Sequence, residues 1–205
     1  ELNFIPNIVE KNFPNSSFEL LDSLSKEKFK SMGLDYESNI KKISNNSLRF
    51  TDKLPLNFKW IGLIKLILPN AKIIHCIRSP HDVCFSIYTN YFTNDQMRFS
   101  YNMDEIIKYY NLYSNIISYW NNLFPNLVYN IKYENLINNS ELEIKNMIKY
   151  TNLKWNDVFL KHYENSRSIK TASDIQARQK IYDSSIGKWK NYSKHLDSYF
   201  EKLSL

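Results

Sequence analysis

The hydrophobic pattern of the chain alternates between two spacings. Apolar residues three or four positions apart, as on one face of a helix, recur in residues 16–44, 60–68, 102–124 and 140–148. Short segments that are typical of strands lie between them at residues 47–52, 72–77 and 127–133. Helices and strands that alternate in this way predict the α/β fold class, with a sheet flanked by helices.

Glycine and capping residues refine these boundaries. Gly33 lies inside the first helical segment, where we expect it to interrupt the helix. Asn102 with Glu105, and Ser140 with Glu143, have the spacing of a capping box, in which the first residue accepts from the backbone at the helix start. Both pairs therefore predict a helix N-terminus.

The segment around Arg78 combines a strand, a turn and a helix start. Residues 72–77 are rich in isoleucine and predict a strand buried on both faces of a parallel sheet. Ser79 can cap the next helix, with Pro80 at its first position. Arg78 would then lie beside a helix N-terminus, which favours a phosphate or sulfate, and Ser86, two turns later, could reach the same anion. A structural interpretation, in which Arg78 pairs with a surface carboxylate and Ser86 packs, stays open on this pattern alone.

Composition is consistent with one domain over residues 1–205, since 43% of the 205 residues are hydrophobic and can form a sizeable core. The formal net charge of +6 suits an anionic ligand, but lysine and arginine are spread along the chain without a block of like charges. A nucleotide is enough to explain this charge, and we expect no nucleic-acid partner. No apolar run approaches the ~20 residues of a membrane span, so we expect none in this chain.

Cysteine and histidine spacing gives no sign of a metal site. Cys76 and Cys84 have no neighbouring cysteine at ligand spacing, and we expect both to be reduced and packed, one in a strand and one in a helix. The four histidines also lack metal-ligand spacing. Because no targeting segment is visible, the sequence favours a cytoplasmic protein.

Arg78 also belongs to a longer set of motifs. These motifs include Thr-Asp-Lys-Leu-Pro-Leu-Asn-Phe before it and Gly-Lys-Trp after it, and together they occupy residues 51–58, 61–64, 68–76, 78–86, 171–173, 178–179, 181–182, 184–185 and 187–189. In order and spacing they resemble the sulfotransferase superfamily. The nearest branch includes protein-tyrosine sulfotransferases and the bacterial sulfotransferases often linked to tetratricopeptide repeats, and the resemblance allows for such repeats upstream in the full gene.

This resemblance implies both a fold and a reaction. The fold is the P-loop-NTPase-like sulfotransferase fold, a parallel sheet flanked by helices. The reaction transfers a sulfuryl group from 3′-phosphoadenosine 5′-phosphosulfate (PAPS) to the hydroxyl of a tyrosine, a carbohydrate or a small molecule, and leaves 3′,5′-adenosine bisphosphate (PAP). The implied partners are therefore a nucleotide donor and a hydroxyl acceptor, with no metal.

Three residues match catalytic positions of the family. Lys53 matches the lysine aimed at the bridging oxygen of the donor, where its charge stabilises the departing phosphate. Ser173 matches a serine that assists at the transferring group in tyrosine sulfotransferases, and Glu1 matches the general base for the acceptor hydroxyl. Without the resemblance, Lys53 reads as an ordinary solvated loop residue.

Seven residues match positions that bind the donor nucleotide. Arg78 and Ser86 match the pair that binds the 3′-phosphate through charge-assisted and hydroxyl hydrogen bonds. Tyr133 matches a tyrosine near the nucleotide, although packing at a strand end explains this residue equally well. The other four fall in the segment that closes over the nucleotide in that branch: Gln179, Tyr182, Ser184 and Lys188.

The resemblance fails near the N-terminus. Complete family members have a first strand and a glycine-containing loop that cradles the 5′-phosphosulfate, whereas Gly33, Gly62 and Gly187 lie in no such setting. We therefore expect an N-terminally truncated chain that is missing the first strand, this phosphosulfate loop and part of the first helix. Such a chain would have weak activity or none.

Two other functions stay open. A non-catalytic pseudoenzyme would bind PAP without transferring a group. A kinase-like phosphotransferase would share a related fold, but the sequence contains no Gly-Lys-Ser or Gly-Lys-Thr element, which argues against it.

Overall fold

The computed structural model describes residues 2–16, 18–44, 47–92, 95–165 and 178–204. The chain divides into two compact units, Glu1–Ala71 and Lys72–Leu205. Each unit has its own buried apolar cluster. A single domain over residues 1–205 stays a prediction.

The described residues of the first unit form three α-helices and three short 3₁₀ segments. The helices are α1 (Phe4–Asn12), α2 (Lys26–Ile43) and α3 (Ile61–Ile67), and the 3₁₀ segments are Pro14–Ser16, Phe18–Ser23 and Pro55–Trp60. Their apolar faces meet in a cluster formed by Ile5, Ile8, Val9, Phe13, Met32 and Ile67. The predicted helix over residues 60–68 is confirmed and corresponds to α3.

Gly33 does not interrupt the first predicted helix, so that prediction is wrong. The helical segment is divided earlier, where the Ser25 side chain accepts from the backbone N–H of Lys28 at 3.2 Å and caps α2. Gly33 instead allows α2 to approach α3 closely, because a Cβ at this position would lie 2.2 Å from the carbonyl oxygen of Ile67. The glycine is required by packing between helices rather than by a turn.

Replacing Gly33 with alanine should destabilise the chain. The added Cβ would collide with backbone that cannot rotate away, and this strain should exceed the roughly 1 kcal/mol that alanine gains over glycine in helix propensity. We expect the free energy of unfolding to fall by about 1 to 2 kcal/mol in denaturant titrations. Leu34→Ala, at an exposed position of the same helix, is the matched control and should change it by less than about 0.5 kcal/mol. Equal stability of Gly33→Ala and the natural chain would contradict the close helix packing.

Residues 47–52 form no strand, so that prediction is also wrong. The structure describes them as irregular backbone, outside the hydrogen-bonded ladder of the second unit. The Tyr36 hydroxyl on α2 donates to Asp52 Oδ2 at 3.0 Å and attaches the segment to that helix. A segment becomes a strand only when another strand pairs with its backbone. Here a side chain of α2 holds the segment instead.

The second unit contains a parallel pair of strands, β1 (Ile73–Ile77) and β2 (Val128–Lys132). The predicted strands and their parallel arrangement are confirmed, and with the surrounding helices they establish a mixed α/β fold that is mostly helical. The prediction that β1 is buried on both faces is wrong, since Ile74 and Cys76 are exposed while the residues that alternate with them are partly buried. Cys84, by contrast, is fully buried as expected.

Five α-helices and three 3₁₀ helices accompany these strands in the described part of the second unit. The α-helices are α4 (Pro80–Thr89), α5 (Met103–Leu123), α6 (Tyr133–Asn138), α7 (Ser140–Tyr150) and α8 (Ser193–Phe200), and the 3₁₀ helices are Asp95–Tyr101, Asp157–Glu164 and Lys188–Tyr192. The core beneath α4, α5 and α8 is formed by Cys84, Met103, Ile106, Ile107, Leu196, Phe200 and Leu203. None of the described helices is long and apolar enough to cross a membrane.

The two predicted capping boxes have different outcomes. Asn102 caps α5 and accepts from the backbone N–H of Glu105 at 3.2 Å, as predicted. Ser140 is the first residue of α7 rather than its cap, and its hydroxyl donates to the carbonyl of Leu136 at 2.7 Å. Because α6 directly precedes α7, a carbonyl of α6 accepts a hydrogen bond from the Ser140 hydroxyl, which therefore does not cap α7.

His75 connects the two strands to α5. Its Nδ1 lies 2.8 Å from Asn130 Oδ1 on β2, and its Nε2 is hydrogen-bonded to the Tyr113 hydroxyl on α5. With this amide orientation, neutral His75 donates through Nδ1 and accepts through Nε2. Burial lowers the pKa of His75 and raises the pKa of Tyr113, so both side chains are held neutral.

His75 should make the folded chain sensitive to mild acid. Because its pKa is lower in the folded state, the unfolded chain takes up a proton that the folded chain resists, and stability is lost as the pH falls through the unfolded pKa of histidine. We expect the free energy of unfolding to fall between pH 7.5 and pH 5.5, and to fall less steeply in His75→Gln. The matched control is His195→Gln, which removes an exposed histidine of α8. An identical slope in His75→Gln would contradict this assignment.

Candidate functional site

Arg78 and Tyr133 lie side by side at the carboxyl ends of the two strands. Each follows the last residue of its strand, and the register pairs Ile77 with Lys132. The Arg78 guanidinium carbon lies 5.3 Å from the centroid of the Tyr133 ring. Ligands of open parallel sheets bind at this carboxyl edge, so the sheet places both predicted nucleotide-binding residues where a ligand is expected.

A distant segment of the chain is tied to the same edge by its backbone. The Tyr133 hydroxyl donates to the carbonyl of Tyr182 at 2.7 Å, and Arg78 Nη2 donates to the carbonyl of Ser185 at 2.6 Å. The backbone N–H of Gly187 donates to both carboxylate oxygens of Asp82, at 2.9 and 3.1 Å. The structure therefore brings Arg78, Tyr133 and the backbone of Tyr182 together at one edge of the sheet.

The Arg78 guanidinium is only partly satisfied by these contacts. Its Nη2 also lies 3.8 Å from Asp82 Oδ1, and the arginine side chain is 24% exposed. Its Nε is buried and has no hydrogen-bond partner among the described residues. A buried donor without an acceptor is costly, and an anion at this edge would supply one.

The carboxylate beside Arg78 is not a surface group, which argues against a simple surface ion pair. Asp82 is 2% exposed and is shared between Arg78 and the Gly187 N–H. A second carboxylate, Glu134 at the start of α6, accepts from the backbone N–H of Ser79 at 2.8 Å. Ser79 does occupy the cap position of α4 with Pro80 after it, but its hydroxyl makes no capping hydrogen bond.

The other residues predicted to bind nucleotide are placed less tightly. Ser86 is half-buried on α4, and its hydroxyl accepts from Asn90 Nδ2 at 3.4 Å. The carbonyl of Gln179 lies 3.0 Å from His162 Nε2. Ser184 and Lys188 are exposed. Contacts of these four residues with a nucleotide stay predictions.

Lys53 belongs to the first unit, on the segment that leads into the Pro55–Trp60 helix. Its side chain is exposed, and its neighbour Asp52 is held by the Tyr36 hydroxyl at 3.0 Å. Burial raises the pKa of Asp52, and burial together with the Asp52 charge raises the pKa of Tyr36. The backbone next to Lys53 is therefore anchored. Glu1 and Ser173, the other predicted catalytic residues, lie outside the described residues.

Sequence reasoning missed three participants at the sheet edge. Asp82, Glu134 and Gly187 form backbone hydrogen bonds there, but their partners are remote in sequence. The available signals were a carboxylate in the first turn of α4 and the single glycine of the C-terminal segment. In the described part of the chain, no group of three or more His, Cys, Asp or Glu side chains could hold a metal ion.

Comparison with known proteins identifies the family of the chain. The sequence model of the "Sulfotransferase family" matches residues 10–157, a stretch that includes Lys53, Arg78, Ser86 and Tyr133. An uncharacterized protein of Aquifex aeolicus (strain VF5) is 34% identical over 218 residues, an alignment that covers 99% of this chain and 28% of that protein. The chain thus spans about a quarter of the length of this curated relative. The nearest branch, the tetratricopeptide-repeat linkage and the cytoplasmic location stay predictions. The family model covers well over half of the chain. The mixed α/β fold of the chain, with its parallel pair of strands, fits the same assignment. The chain belongs to the sulfotransferase family.

Proposed function

We propose that this protein transfers a sulfuryl group from PAPS to an acceptor hydroxyl, and that the carboxyl ends of β1 and β2 bind the 3′-phosphate of the donor. Membership of the sulfotransferase family supports sulfuryl transfer in general. The observation that supports an anion at this edge is the buried Nε of Arg78, for which the described residues provide no hydrogen-bond partner.

The chemistry of Arg78 fits a phosphate ligand. A guanidinium has donors in a fixed planar fork, and a phosphate offers several acceptor oxygens with the opposite charge. The Nη2 atom is already directed at the Ser185 carbonyl, which leaves Nε as a donor for a ligand. The Tyr133 ring next to the guanidinium restricts its orientation. Ser86 would add a hydroxyl to the same phosphate.

The segment that carries Tyr182 would close over the nucleotide. Its attachment to Tyr133 through the Tyr182 carbonyl supports this, because it places the segment at the sheet edge. Gln179, Ser184 and Lys188 would contribute from the same segment. The exposed ammonium group of Lys188 suits a phosphate of the donor.

The proposed reaction is an in-line displacement at sulfur. The acceptor oxygen forms a bond to sulfur while the bond from sulfur to the bridging oxygen breaks, and that electron pair stays on the phosphate of the departing PAP. Lys53 would stabilise the developing charge on this phosphate. Glu1 would take the acceptor proton, and Ser173 would assist at the transferring group. The acceptor carries a hydroxyl of a tyrosine, a carbohydrate or a small molecule.

A thermal-shift titration with three nucleotides tests the proposed donor. PAP at about 100 times its dissociation constant should add roughly 2.7 kcal/mol of stability and raise the Tm by several degrees at this chain length. AMP, which lacks the 3′-phosphate, and ATP, the donor of a kinase, should give much smaller shifts at the same concentration. A shift with ATP that matches or exceeds the shift with PAP would contradict a 3′-phosphonucleotide site.

A further inference from the structure

We propose that Asp82 is a positioning residue for nucleotide binding. Its carboxylate fixes the segment of residues 182–187 against the carboxyl edge of the sheet and thereby orients Arg78. This inference rests on the proposed function, since it concerns how the Arg78 site is held ready for the donor.

The first support is the unusual burial of Asp82. An ionised carboxylate that is 2% exposed is costly unless hydrogen bonds or opposite charges compensate for it. Both of its oxygens accept from the Gly187 N–H, and Oδ1 also lies 3.8 Å from Arg78 Nη2. The buried charge is thus directed at one backbone donor of a distant segment and at the arginine of the site.

The second support is the conformation of Gly187. Its φ of 70° lies in the left-handed region, which glycine adopts without strain, and it precedes the 3₁₀ helix Lys188–Tyr192. This conformation turns the Gly187 N–H toward Asp82 at the point where the segment enters the helix. A glycine in that conformation and a buried carboxylate together define where the segment is attached.

The third support is the arrangement of the other contacts of this segment. Upstream of Gly187, the carbonyl of Ser185 accepts from Arg78 and the carbonyl of Tyr182 accepts from Tyr133. Residues 182, 185 and 187 are therefore attached to three different positions at one sheet edge, and Asp82 supplies the charged acceptor among these contacts. If Gly187 is released, we expect Ser185 to move with it. Arg78 Nη2 then loses its hydrogen bond to the Ser185 carbonyl, which fixes the orientation of the guanidinium.

Electrostatics and positioning predict opposite results when Asp82 loses its charge. Removing a carboxylate 3.8 Å from Arg78 makes the site more positive, so Coulomb attraction alone would strengthen the binding of an anion. Positioning predicts weaker binding, because an uncharged amide with a single acceptor oxygen holds the Gly187 N–H and the guanidinium less firmly than the carboxylate does. Asp82→Asn keeps the size of the side chain and separates the two effects by the sign of the change.

The test measures PAP affinity by isothermal titration calorimetry. We expect Asp82→Asn to weaken PAP binding about 10-fold to 100-fold, the range for losing hydrogen bonds to a charged group. Asp183→Asn is the matched control, because it neutralises an exposed carboxylate in the same segment, and its affinity should be unchanged or slightly higher. Unchanged or tighter binding in Asp82→Asn would overturn the inference.

Amide hydrogen exchange in the absence of nucleotide separates this inference from the proposed function. The Gly187 N–H should be protected in the natural chain and should exchange at least about 10-fold faster in Asp82→Asn, while the Ile106 amide in the core reports that the variant is folded. An unprotected Gly187 N–H in the natural chain would overturn the inference even if PAP binds. If PAP does not bind but the exchange pattern is as expected, the proposed function fails and the attachment of the segment by Asp82 stands.

A second variant covers the case in which Asp82→Asn does not fold. Gly187→Ala leaves Asp82 intact but disfavours the left-handed conformation that turns the N–H toward it. The atoms nearest to the added Cβ would be those of the flexible Lys190 side chain, at 3.5 Å or more, so the change acts on conformation rather than on space. PAP affinity should again fall, and an unchanged affinity would contradict the positioning role.

Discussion

Replacing Lys53 with methionine is expected to lower kcat for sulfuryl transfer by about 100-fold to 1000-fold in the natural gene product, with little change in PAP affinity. The expected size is that of losing one charged or hydrogen-bonding group that acts on the transition state. Lys53 would stabilise negative charge that develops on the departing phosphate only as the bond between sulfur and the bridging oxygen breaks. Its loss therefore affects the rate of transfer more than the binding of the nucleotide. The measurement is single-turnover transfer from PAPS, with the affinity for PAP determined separately.

Two further variants define what Lys53 contributes. Lys59→Met removes another exposed lysine from the same unit, and its rate should stay within a few-fold of the natural protein. Lys53→Arg keeps the charge but replaces a compact ammonium with a planar guanidinium, so it should restore only part of the rate. Equal rates in Lys53→Met and Lys59→Met would contradict a role at the transferring group.

Replacing Arg78 with alanine is the second large expected effect, and it concerns binding rather than rate. We expect PAP affinity to fall about 100-fold, while AMP affinity changes by less than about 3-fold, since only PAP carries the 3′-phosphate. The buried Nε of Arg78 has no partner among the described residues, so the variant removes a donor that a ligand would complete. Isothermal titration calorimetry with PAP and with AMP measures the ratio of the two affinities in the natural chain and in Arg78→Ala.

Arg78 also has a structural contact, which the experiment must separate from its role in binding. It donates to the Ser185 carbonyl, so alanine loosens the segment as well as the site. Arg78→Lys keeps the charge but loses the planar fork, and we expect an affinity between those of the natural chain and Arg78→Ala. Arg98→Ala, at an exposed position outside the sheet edge, is the matched control for loss of an arginine. If both nucleotides weaken equally in Arg78→Ala, the contact with the 3′-phosphate is wrong.

The elements around Arg78 could be predicted from sequence because their signals are local. A run of isoleucines, a proline at the first helical position and apolar residues at helical spacing lie within a few residues of each other. The strands β1 and β2 and the helix α4 appear where these signals place them. Arg78 follows a strand, and that position depends only on where the strand ends.

The predictions that failed depend on contacts that local sequence does not encode. Gly33 looks like a helix break until the Ile67 carbonyl of another helix is found where its Cβ would be. Residues 47–52 have a strand-like composition but pair with no strand in the described structure, and the Tyr36 hydroxyl holds Asp52 instead. The contact between Asp82 and Gly187 joins residues 105 positions apart, so no nearby pattern could reveal it.

The candidate site likewise combines residues that the sequence identified with contacts that it could not reveal. Arg78, Tyr133 and Tyr182 were identified through family motifs, and the structure brings them together through hydrogen bonds and a ring contact. Motifs cannot show which of the Arg78 donors is already used. The structure provides that information, because Nη2 donates to the Ser185 carbonyl and Nε has no hydrogen-bond partner among the described residues.

A crystal structure of the protein with bound PAP tests the central claim most directly. The account predicts that the 3′-phosphate lies at the carboxyl ends of β1 and β2, with one of its oxygens within about 3 Å of Arg78 Nε. The Gly187 N–H should remain on Asp82 in that complex. A nucleotide bound elsewhere, or one that places its 5′-phosphate against Arg78, would contradict the account.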